Sequence, residues 1–176
     1  NIKASSEYAF SLMLMTIKNI FNGISSVRMG YWREVENKLR SYEFNGKTIG
    51  IIGFGRIGRN IAKFSKPFNF KTLFYDPAVK KEEFGCKKIN SLPQLLKTSN
   101  IIVVAVHLNS KTKDMVNKSF FKHVKKKSFF INISRGEIID ESALINAIKS
   151  GIIQRASVDV IKNEQSNSIK SNRLYQ

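Results

Sequence analysis

The chain is 176 residues long, a length that predicts one domain with enough chain for a substantial core. Its hydrophobic fraction of 42% fits a soluble globular protein, and no window reaches the roughly 18 consecutive apolar residues of a membrane helix, so a membrane partner is not expected. Lys and Arg number 30 against 13 acids, a formal charge of +17 that raises nucleic acid or an anionic membrane as a partner. The basic residues are scattered, however, and only Lys122 to Lys127 is locally dense. The reading is therefore a lysine-rich surface that draws in an anionic cofactor and substrate, with no nucleic-acid partner expected. Cys86 is the one cysteine, which excludes an internal disulfide, leaves no cysteine zinc site and suits a reducing, cytoplasmic setting. No metal site is expected. There is neither a signal-peptide pattern nor an initiator Met, so upstream sequence is expected.

In chain order, Ser5 and Ser6 predict a helix cap, with Glu7 well placed in a first turn. Apolar residues then run from Tyr8 to Phe21 around nearly the whole helix. A helix apolar all round is buried on more than one side. It contacts its own domain and a partner subunit or second domain, or it is a deeply buried core helix in a monomer. Gly23 to Gly30 reads as a connection, Tyr31 to Tyr42 as an exposed arm of mixed charge, and Asn45-Gly46 as a turn into the first strand.

Thr48 to Ile52 is a short apolar run rich in β-branched residues, a buried parallel strand. Gly53, Gly55 and Gly58 follow at the spacing G-x-G-x-x-G. A helical pattern then carries Ile57, Ile61 and Phe64 until Pro67 stops it. Strand, glycine turn and helix N-terminus together describe a cradle for a pyrophosphate. The first glycine permits the tight turn, the second admits the phosphates, and the third lets helix and strand pack. A second strand, Lys71 to Tyr75, ends at Asp76, which lies 23 residues after Gly53. That is close to the roughly 20 expected of a ribose-binding acid. A carboxylate there accepts from the ribose hydroxyls and repels a 2′-phosphate, so NAD is expected over NADP. The alternative is a glycine-rich turn in another kind of α/β protein, with Asp76 a solvated strand end.

A polar, lysine-bearing connection follows Pro77. Leu92 to Leu96 predicts a short helix, Ile101 to Val106 the strongest buried strand, Asn117 to Val124 a helix, and Ser128 to Ile133 a strand. Glu141 to Lys149 is a helix with Gly151 at its C-cap, and Arg155 to Val160 is the last strand. The β-α-β alternation predicts an α/β fold of Rossmann type: a doubly wound parallel sheet with flanking helices and right-handed crossovers.

Between Asn132 and Leu144 the chain carries Asn132, Arg135, Gly136, Asp140, Glu141, Ala143 and Leu144, and further on Val158, Asp159, Val160 and Glu164. These residues, with the glycine turn and Phe74 to Pro77, resemble the D-isomer-specific 2-hydroxyacid dehydrogenases, which include phosphoglycerate and glycerate dehydrogenases. Three motifs in order, spread over nearly the whole chain, carry the resemblance. It implies that Arg135 binds the substrate carboxylate and polarises the reacting carbonyl. It implies that Glu164 pairs with a catalytic histidine and raises its pKa. Asp159 and Thr112 would line the nicotinamide side of NAD, Ile133 and Ser134 its ribose, and His107 would contact the cofactor. Gly53, Gly55, Arg56, Ile57 and Gly58 would meet the pyrophosphate, and Asp76 the adenosine ribose. The physics agrees: Arg135 and Asp159 lie at carboxyl ends of predicted parallel strands, and a guanidinium fork matches a carboxylate.

The sequence departs from the family pattern at Gln165, where proline is expected, and no histidine in the family's context occurs before Gln176. His123 reads as a surface residue. The expected organisation is a helix and arm over 1–43, a Rossmann core over 44–161, and over 162–176 the start of a return to a substrate domain that is absent. The resemblance implies an NAD-dependent enzyme that interconverts a D-2-hydroxy acid and a 2-oxo acid, as a homodimer. This chain is then its cofactor domain, binding NAD if it folds alone but inactive by itself. The alternative is a non-catalytic, NAD-sensing module of the kind found among transcriptional co-regulators.

Overall fold

In the computed structural model the described residues are 2–32, 39–162, 172 and 174. Six parallel strands form one sheet in the order β3-β2-β1-β4-β5-β6. They are β1 (Thr48–Ile52), β2 (Lys71–Tyr75), β3 (Lys87–Lys88), β4 (Ile101–Val104), β5 (Ser128–Asn132) and β6 (Ile153–Val158). The direction of winding reverses between β1 and β4, the switch point at which open α/β sheets place their ligands. The expected Rossmann-type, doubly wound architecture is what the chain adopts.

Alternation along the central strands makes two cores. Ile49, Ile51, Ile101, Val103, Phe129 and Ile131 face α1 (Ile2–Lys18) and α3 (Arg56–Ser65). Ile52, Ile102, Val104 and Phe130 face α4 (Leu92–Thr98), α5 (Lys118–Lys122) and α6 (Glu141–Lys149). A strand buried on both faces cannot alternate apolar with polar, which is why β4 reads as an unbroken apolar run. Among the described residues, no helix is long and apolar enough to cross a membrane.

Several boundaries differ from expectation, each for a physical reason. Helix α1 starts at Ile2, so Ser5 and Ser6 lie inside it and Glu7 is beyond its first turn. Ser6 is buried and its hydroxyl donates to the Ile2 carbonyl at 2.7 Å, a bond within the helix rather than a cap. The helix breaks at Asn19, whose φ is 57°, and a separate α2 (Ile20–Arg28) occupies most of the expected connection. Gly30, at φ 82°, closes α2: its N–H donates to the Val27 carbonyl at 3.0 Å, and the Tyr31 N–H donates to the Ser26 carbonyl at 2.9 Å. That pair of bonds is a Schellman motif, so Gly30 marks a helix end instead of a loop. Within this chain α1 buries one stripe, Ser6, Ala9, Phe10, Met13, Thr16 and Ile17, while Tyr8 and Met15 stay exposed. The expected burial on several sides is not met by the chain's own residues.

The last strand begins two residues early, at Ile153, because Gly151 (φ 70°) ends α6 abruptly and Ile153 drops straight into the core. The lysine-bearing connection contains the short edge strand β3, whose two lysines suit an unpaired edge. In the expected arm, residues 33–38 lie outside the described residues. Tyr31 and Trp32 are exposed, whereas Tyr42 packs edge-on against Phe129 with ring centroids 5.4 Å apart.

Candidate dinucleotide site

Because every strand is parallel, the carboxyl ends of β1, β2, β4, β5 and β6 share one rim. The glycine turn, Asp76, His107, Arg135 and Asp159 all follow these ends in sequence. The turn itself is built by close approach. Gly53 has φ 92°, and a β-carbon there would lie 2.5 Å from the Ala105 carbonyl oxygen, so no side chain is tolerated. A β-carbon on Gly58 would overlap the Gly53 carbonyl, which sets how closely α3 sits on β1. Gly55 differs from both: a β-carbon there would meet nothing within 4 Å. Its lack of a side chain leaves space in front of the N-terminus of α3, where it is the N-cap residue and no side chain caps the helix. Free N–H groups at a helix start beside open space fit a pyrophosphate. Arg56 next to it is exposed and Ile57 partly buried.

Asp76 is bonded into the same turn. Its Oδ2 accepts from the Phe54 N–H at 2.8 Å, and its Oδ1 from the Ala78 N–H at 2.9 Å. Each carboxylate oxygen keeps a lone pair for a ribose hydroxyl. The spacing of 23 residues thus reflects a contact: the acid at the end of β2 orders the turn at the end of β1. Arg59 adds a further tie, donating to the Phe54 carbonyl at 2.6 Å and pairing with Glu83 at 3.1 Å.

On the other side of the switch point, His107 is exposed and opens a loop closed by Thr112. The Thr112 hydroxyl donates to the His107 carbonyl at 2.6 Å and accepts from the Asn109 N–H at 2.8 Å. Ser134 is buried. Its hydroxyl donates to the Val104 carbonyl and accepts from the Val106 N–H, both at 3.0 Å, so it pins the end of β4 to β5. Ile133 packs against the core on the α1 side.

Arg135 is exposed, in extended backbone, with its guanidinium donating to the Ser134 carbonyl at 2.8 Å. No carboxylate pairs with it among the described residues. A guanidinium steadied through one terminal nitrogen, with no carboxylate on it among the described residues, is suited to binding an incoming carboxylate. Two neighbours that the motif contained but to which no role was assigned set its position. Asn132 is fully buried; its side-chain amide donates to the Arg135 carbonyl at 3.2 Å and its Oδ1 accepts from the Ser134 N–H at 3.2 Å. Gly136 lies against the backbone of Ile161 and Lys162, with no room for a β-carbon. The chain leading to Glu164 therefore crosses directly over the arginine turn; Glu164 itself lies outside the described residues. Lys162 fastens the crossing through a 2.6 Å ion pair with Asp114 and a backbone N–H donated to Glu141 at 3.2 Å.

Asp159 is exposed just past β6, and its N–H extends the ladder to the Asn132 carbonyl at 2.9 Å. The Tyr8 phenol on α1 is raised above its ordinary range by partial burial and then by the Asp159 carboxylate. His123 lies well away in sequence from this rim, on the end of α5 facing Leu92, Met115 and Phe120. Cys86 is buried, which pushes its thiol up to about 12 and leaves it an inert core residue.

The sequence pattern described as D-isomer specific 2-hydroxyacid dehydrogenase, NAD binding domain, matches residues 10–176. The chain is 37% identical over 169 residues to a glyoxylate reductase of Pyrococcus furiosus, covering 92% of this chain and 50% of that protein. It is 34% identical over 161 residues to a D-3-phosphoglycerate dehydrogenase of Methanocaldococcus jannaschii, covering 90% of this chain and 30% of that one. Its fold matches an NAD-dependent formate dehydrogenase from Staphylococcus aureus in complex with NAD, with a TM-score of 0.89 at 29% identity, over 96% of this chain and 51% of that one. It also matches a D-lactate dehydrogenase from Aquifex aeolicus complexed with NAD and lactic acid, with a TM-score of 0.86 at 30% identity, over 94% of this chain and 50% of that one. The chain spans half the length of the glyoxylate reductase. It belongs to the D-isomer specific 2-hydroxyacid dehydrogenase family, as the NAD-binding domain of that family.

Proposed function

We propose that the whole protein containing this chain transfers a hydride between NAD and a small 2-hydroxy or 2-oxo acid. The observation that carries this reading is Arg135, an exposed guanidinium with no carboxylate partner among the described residues, on the same rim as a glycine turn that fits a dinucleotide. NAD supplies the hydride acceptor or donor. Gly53, Gly55, Arg56, Ile57 and Gly58 would hold its pyrophosphate and Asp76 its adenosine ribose. His107, Thr112, Ile133, Ser134 and Asp159 would border its nicotinamide end. For Ser134 that contribution runs through the second lone pair of its carbonyl, because its hydroxyl and N–H are already committed. Arg135 binds the substrate carboxylate and draws charge onto the reacting carbonyl oxygen. Glu164, a short step from the Ile161–Lys162 crossing, is assigned to a histidine supplied from beyond residue 176, which it stabilises as an imidazolium. The co-regulator-like reading is not favoured, since the relatives carry dehydrogenase and reductase names. The test is NADH oxidation by the whole protein with glyoxylate and larger 2-oxo acids. Turnover supports the reading; NADH binding without turnover on any of them overturns it.

A homodimer belongs to the same proposal. No residue of α2 is buried; its Phe21, Ile24 and Val27, and Met29 just after it, are exposed apolar residues. A surface of that kind needs covering, and a second copy of this chain would cover it. Ile24→Asp is expected to convert the protein from dimer to monomer in sedimentation velocity; a wild-type protein already monomeric at micromolar concentration contradicts the assignment. The basic surface is assigned to attracting anionic ligands, not nucleic acid, and the single buried thiol fits work in a reducing cytoplasm.

A further inference from the structure

Arg59 stands in the first turn of α3, its N–H bonded to the Gly55 carbonyl at 3.0 Å. Helical side chains tilt back toward the helix start, so its guanidinium lies over the glycine turn. It sits above the Phe54 ring, 5.2 Å from the centroid. One terminal nitrogen donates to the Phe54 carbonyl at 2.6 Å, and Nε pairs with Glu83 at 3.1 Å. Phe54 is fully buried, and its ring stacks on Phe74 with centroids 3.9 Å apart. Both polar groups of Phe54 are thus taken, the N–H by the Asp76 carboxylate and the carbonyl by a cation. The backbone of Glu83 is itself fixed. A tight turn through Phe84 and Gly85, at φ 57° and 76°, brings the Glu83 carbonyl onto the Cys86 N–H at 2.9 Å, and Cys86 is fully buried. The carbonyl that Arg59 holds belongs to the Phe54–Gly55 peptide. In a trans peptide the N–H points opposite to the C=O, so the Gly55 N–H faces away from the guanidinium. It makes no backbone hydrogen bond among the described residues, and the space beside Gly55 is open.

We propose that Arg59, steadied by Glu83, is a positioning residue of the dinucleotide turn: it holds the Phe54–Gly55 peptide with its carbonyl turned from the pyrophosphate and its N–H turned toward it. The inference rests on the assignment of the pyrophosphate to this turn. A carbonyl swung toward the phosphates would repel them and leave one donor unused. Fixing the peptide in advance removes that alternative and lowers the ordering cost of binding. A guanidinium suits the task because its planar fork serves a carbonyl and a carboxylate at once.

The test measures NADH, ADP-ribose and adenosine on the whole protein by calorimetry, adenosine by displacement of ADP-ribose. The first two carry the pyrophosphate and the third does not. Arg59→Met keeps an apolar stem over Phe54, removes both polar bonds and is expected to fold normally. It should weaken NADH and ADP-ribose alike, about tenfold, the effect of a hydrogen bond to a charged group, and leave adenosine unchanged. Glu83→Ala separates position from charge. Removing an acid near an anionic ligand would by charge alone tighten binding. Loss of the partner that steadies Arg59 should instead weaken NADH and ADP-ribose about threefold, and the double variant should add little to Arg59→Met alone. Wild-type affinity for ADP-ribose in Arg59→Met overturns the proposal. So does tighter ADP-ribose binding in Glu83→Ala, which makes Arg59 a bare charge, and so does an equal loss of adenosine in Arg59→Met, which makes it merely structural. A wild-type protein that binds adenosine as tightly as ADP-ribose gains nothing from the pyrophosphate, which removes the assignment of the turn and the proposal with it.

Discussion

Gly53→Ala is expected to abolish measurable dinucleotide binding and to lower stability by about 2–6 kcal/mol. Two independent terms add. A non-glycine residue at φ 92° occupies a sparsely populated region, which costs on the order of 1–3 kcal/mol. The new methyl also lands 2.5 Å from the Ala105 carbonyl oxygen and 2.9 Å from a Val106 methyl. Overpacking of that kind costs about 1–3 kcal/mol. The carbonyl cannot retreat easily, because the N–H of the same peptide, that of Val106, is bonded to the Ser134 hydroxyl at 3.0 Å. The strain therefore falls on the turn, which carries the Phe54 N–H that orders Asp76. Chemical denaturation and NADH fluorescence titration check both parts. A control substitution at Gly55, where a β-carbon meets nothing, should lower NADH binding without destabilising the fold. Equal stability losses at Gly53 and Gly55 would contradict the division of roles between the two glycines.

Arg135→Lys should reduce kcat/KM of the whole protein for a 2-oxo acid by about 10²–10³-fold, the effect of removing one donor to a developing oxyanion. Lysine keeps the charge but loses the planar fork, so the substrate carboxylate and the reacting carbonyl are no longer engaged together. NADH affinity should change little, and the thermal midpoint should hold, since Arg135 is exposed and its one side-chain bond among the described residues is to the adjacent Ser134 carbonyl. Steady-state kinetics with paired NADH titrations separates the effects. A variant that loses NADH affinity while turning over normally would place Arg135 in the cofactor site instead.

Much of this was legible in the sequence because backbone geometry and burial act together at particular residues. The bounds of β1 and β2 follow from apolar runs that stop at Gly53 and Asp76, and the start of α6 follows from Asp140, whose carboxylate accepts from the Ala143 N–H at 3.1 Å. Helix α2 was missed because Gly23, Ser25 and Ser26 are poor helix formers. The signal was present in Ile20, Ile24 and Val27 at helical spacing, and in Gly30 as a stop. The site was legible as residue types but not as a set of contacts. The sequence named Asp76, Arg135 and Asp159; it did not show that Asp76 orders the glycine turn or that Asn132 and Gly136 set Arg135. Those are contacts across β-α-β units, and no local period encodes them.

NAD is expected to lie across the carboxyl rim with its adenosine ribose on Asp76, and calorimetry of the whole protein with NADH and NADPH, repeated on Asp76→Ser, decides this. NADH should bind at least about tenfold more tightly than NADPH, because the Asp76 charge repels a 2′-phosphate, and Asp76→Ser should erase most of that preference. Equal affinities in the wild-type protein, or a preference that survives Asp76→Ser, would contradict it.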